Sequence, residues 1–145
     1  MIVTAQGILD ALGGRRVLKR RGPTADRLRD QVRTGLPYAA LEAIAQRLAV
    51  TAGDLGEVVG LGRRTLARRR KAGRLTASES DRLARVGRIV AQTEEVLGNR
   101  VKAARWLSRP NLALGRIAPM RLLDTDIGAC EVETILGRIE HGVYS

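Results

Sequence analysis

Apolar residues recur along this chain at three- and four-residue spacing, and nowhere do they alternate with polar ones for long enough to build a half-buried strand. That pattern restricts the chain to helices. The clearest instance follows Leu36-Pro37, where Leu41, Ile44, Ala45 and Leu48 fall at i, i+3, i+4 and i+7 and Pro37 suits the first turn. There is no Phe, and the aromatics are Trp106, Tyr38 and Tyr144, so Leu, Val, Ile and Ala have to fill the core. A length of 145 residues suits one domain or two small helical ones that share a core. No repeat of fixed period is present, and the expected fold class is all-α.

Punctuation residues place further helices. Thr51 can cap a short helix carrying Leu55, Val58 and Val59, with Asp54 in its first turn and Gly60-Leu61-Gly62 at its end. A third helix runs from about Arg63 to Ala72 and stops at Gly73, with Leu66 as its main inward anchor. Thr76-Ala77-Ser78-Glu79 reads as a capping box before a long amphipathic helix with Leu83, Val86, Ile89, Val90, Val96 and Leu97, closed by Gly98. This helix is expected to connect two halves. Beyond it lie a helix from about Arg100 to Ser108, an interruption at Arg109-Pro110-Asn111, a short turn near Pro119, and a last helix from about Asp126 to His141. At the start, a short apolar stretch from Ile2 to Leu12 is closed by Gly13-Gly14. It precedes a basic run of Arg15, Arg16, Lys19, Arg20 and Arg21 that ends at Gly22-Pro23 and reads first as a solvated terminal segment, with an arm along the DNA backbone as the alternative. The expected division is a basic N-terminal segment at 1–27, a DNA-binding domain at 28–98 and a second helical domain at 99–145.

Charge separates the halves. Lys and Arg outnumber Asp and Glu by 16 to 7 over residues 1–80, whereas from Ile117 to the end two basic residues face five acidic ones. A cationic first half attracts phosphate polyanions, which makes nucleic acid its leading partner. Two short helices joined by a Gly-containing turn, the second of them basic, can place that second helix in the major groove. If Leu66 faces inward, Arg64, Thr65 and Arg68 point outward as candidates for base edges: arginine can donate twice to guanine, and Thr65 can meet a thymine methyl or a phosphate. Arg63, Arg69 and Lys71 are the candidates for phosphates. Six of the nine residues from Arg63 to Lys71 are basic, with no acid among them, so the helix repels itself unless a polyanion is bound. A homodimer on operator DNA with inverted repeats is expected, and six to eight neutralised phosphates per half-site would make log affinity fall with log salt at a slope of about −5 to −7.

Catalysis finds little support. The single His141 lies near the end, the single Cys130 sits in a helix, and neither a phosphate-binding glycine loop nor a metal-spaced ligand set is present. The acidic pairs Glu94-Glu95, Asp124 with Asp126, and Glu131 with Glu133 read as solvated caps and faces. The expectation is a non-enzyme without cofactor or metal. Cys130 has no partner for an internal disulfide, and no segment has the length of a membrane span or the pattern of a signal peptide, which places the chain in the cytoplasm, on the nucleoid when bound to an operator.

From Arg100 onward the chain resembles the C-terminal toxin-binding domain of the Xre/MbcA/ParS antitoxins. The residues that carry the resemblance are Ala104 and Trp106-Leu107, Pro110-Asn111, Leu114-Gly115, Pro119, Leu122-Leu123-Asp124, Gly128 and the ending Leu136-Gly137-Arg138-Ile139-Glu140-His141-Gly142. The preceding stretch, from about Leu28 to Gly98, resembles the Xre-type helix-turn-helix that accompanies that domain. The resemblance implies a type II antitoxin that neutralises an NAD-consuming RES-domain toxin and represses its own operon. It also implies that the last helix and tail, Glu140, His141, Gly142, Val143, Tyr144 and Ser145, lie against the toxin's active-site cleft, with Trp106 in the core of the module. Arg116 departs from the pattern, because it lies in a stretch where family members often carry another glycine before the Pro119 turn. A mildly acidic tail with Tyr144 as an amphipathic anchor suits a cationic cleft.

The main alternative is a stand-alone repressor whose second half only dimerises. A weaker one is a nucleoid or membrane-surface protein that uses charge without sequence choice.

Overall fold

A computed structural model describes residues 3–18 and 25–142. Nine α-helices occur among them, α1 (Ala5–Ala11), α2 (Gly14–Leu18), α3 (Ala25–Thr34), α4 (Tyr38–Leu48), α5 (Ala52–Val58), α6 (Arg63–Ala72), α7 (Ala77–Leu97), α8 (Arg100–Ser108) and α9 (Asp126–Glu140), with 3-10 turns at Leu112–Leu114 and Pro119–Asp124. No strand is present among the described residues, in keeping with the all-α expectation.

Local side chains set most helix starts. Thr51 accepts from the Asp54 N–H, Asn99 from Lys102 and Thr125 from Gly128, each satisfying a donor that the first helical turn leaves open. The capping box at the head of α7 is complete: Thr76 Oγ1 accepts from the Glu79 N–H, and the Glu79 carboxylate accepts from the Thr76 N–H. Glycines in the left-handed conformation close α6 and α7 at Gly73 and Gly98.

The long helix is more than a connector. Leu83, Val86, Ile89 and Val90 of α7 are buried, and α1, α3, α8 and α9 all pack on it. Its arginines tie three other segments in place: Arg82 Nε donates to the Val59 carbonyl at 2.7 Å, Arg85 to the Leu123 carbonyl at 3.4 Å, and Arg88 to Glu133 at 3.0 Å. One hydrophobic cluster therefore runs from Leu9 through Leu41, Leu83 and Leu107 to Leu136. The helical period made α7 predictable, but a helix apolar enough to serve as the hub of both halves looks, in one dimension, like a linker.

Two elements were not foreseen. The stretch around Leu28, Gln31 and Val32 forms α3, which lies along α7; Leu28 and Val32 stand among seven charged or polar residues and carry a weak apolar signal. Part of the described N-terminal stretch, α1 and α2, also contributes to the core. Leu9, Ala11, Leu12 and Leu18 are buried, and Leu12 lies over Gly87 of α7. Lys19, Arg20 and Arg21 of the basic run lie outside the described residues.

Candidate nucleic-acid interface and C-terminal module

A short helix, a tight turn and a basic helix make the first candidate site. α5 ends at Val58. Gly60 then takes a positive φ of 76°, buried Leu61 donates its N–H to the Gly56 carbonyl at 2.7 Å, and Gly62 opens α6. Gly56 is a residue the sequence reading did not single out. A Cβ there would meet the Leu61 carbonyl at 3.2 Å and both methyls of Leu66 at 3.5 Å, so the glycine leaves the seat into which Leu66, the predicted inward anchor, packs. At its far end α6 is fastened to the start of α4: the Tyr38 N–H donates to the Gly73 carbonyl at 2.9 Å, and the Leu75 N–H to the Leu36 carbonyl at 2.9 Å.

α6 contributes no fully buried side chain, so its position depends on a few contacts. Leu66 is one. The second is an ion pair: Arg69 Nε and Nη2 donate to the two Glu79 oxygens at 2.7 and 3.1 Å. Glu79 is buried at the head of α7, while Arg69 is partly exposed. The expectation that no acid pairs the basic helix is thus corrected at Arg69, because an acid ten residues on in sequence folds back beneath it. The two-pronged geometry suits guanidinium and carboxylate and makes Arg69 a positioning residue for the helix.

The remaining predicted contacts have a different environment. Arg63, Arg64, Arg68 and Lys71 are exposed, Thr65 is half-buried, and Arg68 Nη2 lies 3.3 Å from Thr65 Oγ1. Arg70, which the sequence reading left out of the site, is also exposed on the same helix. No side chain caps the N-terminus of α6, and the positive end of the helix dipole adds to the attraction for phosphate there. Arg69, Arg70 and Lys71 sit in the last turn, where the dipole partly offsets their mutual repulsion.

Glu79 is the titratable group that holds this arrangement. Burial pushes its carboxyl up, but hydrogen bonds from Arg69 and Thr76, together with the Arg69 charge, outweigh burial and hold it below the usual range. A depressed folded-state pKa stabilises above the ordinary carboxylate value of about 4.3, and that stability is lost as pH falls through the folded value. Glu79→Gln is expected to lower Tm by a few degrees at pH 7 and to converge on the unaltered chain as pH falls through the depressed folded value. Thermal melts across pH check this; a gap that stays constant would mean that the carboxylate charge is not its source.

The C-terminal module is built from α8, the two 3-10 turns and α9. Leu107, Leu114, Met120, Leu123, Val132 and Leu136 are buried, with Trp106 packed against them as expected of a core residue. Gly128 permits the tightest approach, since a Cβ on it would stand 1.9 Å from the Leu122 carbonyl oxygen. Between α8 and Pro119 the chain turns through a loop in which Arg116 takes a φ of 66°. That left-handed conformation is free of steric cost only for glycine, and Arg116 adopts it in the stretch where the family pattern often has another glycine. Of the predicted tail positions, Glu140, His141 and Gly142 are exposed at the end of α9, and Val143, Tyr144 and Ser145 lie outside the described residues. Among the described residues no group of three or more His, Cys, Asp or Glu could hold a metal ion, and no helix is long and apolar enough to cross a membrane.

Both halves match known families. A family model described as the antitoxin Xre-like helix-turn-helix domain matches residues 27–88, and one described as the antitoxin Xre/MbcA/ParS C-terminal toxin-binding domain matches residues 92–142. A protein of Photorhabdus laumondii named "Antitoxin Xre" is 37% identical over 113 residues, which cover 77% of this chain and 76% of that protein. One of the same name from Yersinia enterocolitica is 35% identical over 118 residues, 80% of each chain. Another, from Pseudomonas putida, is 44% identical over 68 residues, 47% of this chain and 43% of that protein.

Proposed function

The chain belongs to the Xre family of antitoxins, and from that premise we propose that it neutralises an NAD-consuming RES-domain toxin and represses its own operon, using two separate surfaces. In the first half α6 enters the major groove of the operator. Arg64, Thr65 and Arg68 face the base edges, and Arg63, Lys71 and Arg70 hold phosphates, while Arg69 stays with Glu79 to fix the angle of the helix. Two copies bind an inverted repeat, since one helix of this size makes too few contacts for specific affinity. In the second half the end of α9 and the tail, Glu140 to Ser145, cover the toxin's active-site cleft. The chain acts by binding and by exclusion of substrate.

The observation that carries the reading is the pairing of an exposed, cation-rich α6 in the segment matched as helix-turn-helix with a separate helical module matched as toxin-binding. The RES class of the toxin rests on the resemblance of the second half, from Trp106-Leu107 to the Gly142 ending.

Co-expression with the neighbouring reading frame tests it. With a tag on one chain, the two are expected to co-purify, and cellular NAD, depleted when the neighbour is made alone, is expected to recover when this chain is present. Removing His141 to Ser145 is expected to free the toxin and spare operator binding. A truncated chain that still restores NAD would rule out the tail as the covering element, and absence of any association would leave a solitary repressor.

A further inference from the structure

The exposed large apolar side chains among the described residues are Val101, Leu112, Ile117 and Ile127, and all four lie within the toxin-binding match at 92–142. The segment matched as helix-turn-helix has none. Leu112 is 79% exposed and Ile117 44% exposed, and both belong to the loop between α8 and Pro119.

This loop is tightly closed. The Asn111 N–H donates to the Ile117 carbonyl at 3.1 Å, the Asn111 carbonyl accepts from Leu114 at 3.0 Å and Arg116 at 2.8 Å, and Asn111 Oδ1 accepts from the Ala113 N–H at 3.0 Å. Leu114 anchors it in the core, and its turn packs on α9. Arg116 takes a left-handed backbone to complete the closure, strain of the kind that persists at binding sites when the surroundings enforce it.

We propose that this loop is a second docking point for the toxin, in which Leu112 and Ile117 enter an apolar recess of the toxin surface, apart from the cleft covered by the tail. Three features favour that occupant. The loop lies inside the toxin-binding match, it packs on the helix that carries the tail, and it presents apolar side chains on a backbone already ordered, so little conformational entropy is lost on binding. Two unequal contacts on one toxin explain how a short tail can hold the cleft: the loop secures the complex and the tail reaches in. The inference rests on the antitoxin reading above.

Leu112→Asp with Ile117→Asp in the full chain, measured against the neighbour-encoded toxin that co-purifies with the unaltered chain, tests it. The expected result is a Kd weakened about 30-fold or more, with unchanged melting and operator binding. Leu112→Ala with Ile117→Ala is expected to weaken it in the same direction, and it replaces the aspartate pair should that pair misfold. Undiminished affinity in a folded variant, while removal of His141 to Ser145 releases the toxin, would overturn the loop and keep the antitoxin reading. Absence of toxin binding by the unaltered chain would overturn both. A variant whose solution mass alone falls by half would make the loop a contact between copies and overturn its assignment to the toxin.

Discussion

Alanine at both Arg64 and Arg68 is expected to weaken binding to the chain's own operator by roughly 10²–10³-fold, because each bidentate arginine contact to a base edge contributes about 1–3 kcal/mol of discrimination. Both side chains are exposed on the outer face of α6, so the substitution leaves the core untouched. Fluorescence anisotropy with operator and scrambled duplexes at one salt concentration checks it, and the discrimination between the two should collapse. Arg63→Ala makes the contrast. A phosphate contact weakens both duplexes alike and lowers the salt slope by about 1. Equal loss on both duplexes in the double variant would reassign Arg64 and Arg68 to the backbone of the DNA. Loss of toxin binding together with DNA binding would point to misfolding or to a shared surface.

Gly128→Ala is expected to destabilise the protein by about 3 kcal/mol or more, a fall in Tm of roughly 6–12 °C. The added Cβ would stand 1.9 Å from the Leu122 carbonyl oxygen and 2.8 Å from its carbon. Both are backbone atoms, so no side chain can swing aside; the 3-10 helix at Pro119–Asp124 and α9 have to separate, uncovering Leu123 and Ala129, which are buried. Gly137→Ala on the same helix is the control. A Cβ there meets nothing within 4 Å, so the change removes a flexible residue from a helix interior and should be neutral or stabilising by up to about 1 kcal/mol. Equal melting temperatures for the two variants would contradict the close approach at Gly128.

The elements that carry the candidate site were legible in the sequence where their determinants are local. The recognition-like helix, its glycine stop and its flanking turn were legible because Leu55 to Gly62 and Arg63 to Gly73 carry their own caps and charges. The capping role of Glu79 was legible for the same reason. Its second role was not: the carboxylate that accepts from Thr76 three residues away also receives Arg69, and no spacing rule announces that pairing. Gly56 was likewise hidden, because its meaning lies in the Leu66 methyls above it. The tail was named from a resemblance, and half of its positions lie outside the described residues, so its placement remains with the proposal.

By itself the sequence determined the all-α class, most helix limits, the cationic helix and the division of charge between the two halves. These follow from periodicity, capping and composition, which act over one or two turns of chain. The tertiary structure alone decided that α7 is the hub of one shared core, that Leu9, Ala11, Leu12 and Leu18 pack into it, and that Arg69 is spent on Glu79 while Arg64 and Arg68 stay exposed. The physical reason is distance along the chain. Which apolar face meets which, and which charge finds a partner, depends on residues brought together from far apart, such as Arg121 and Glu57, 64 positions away.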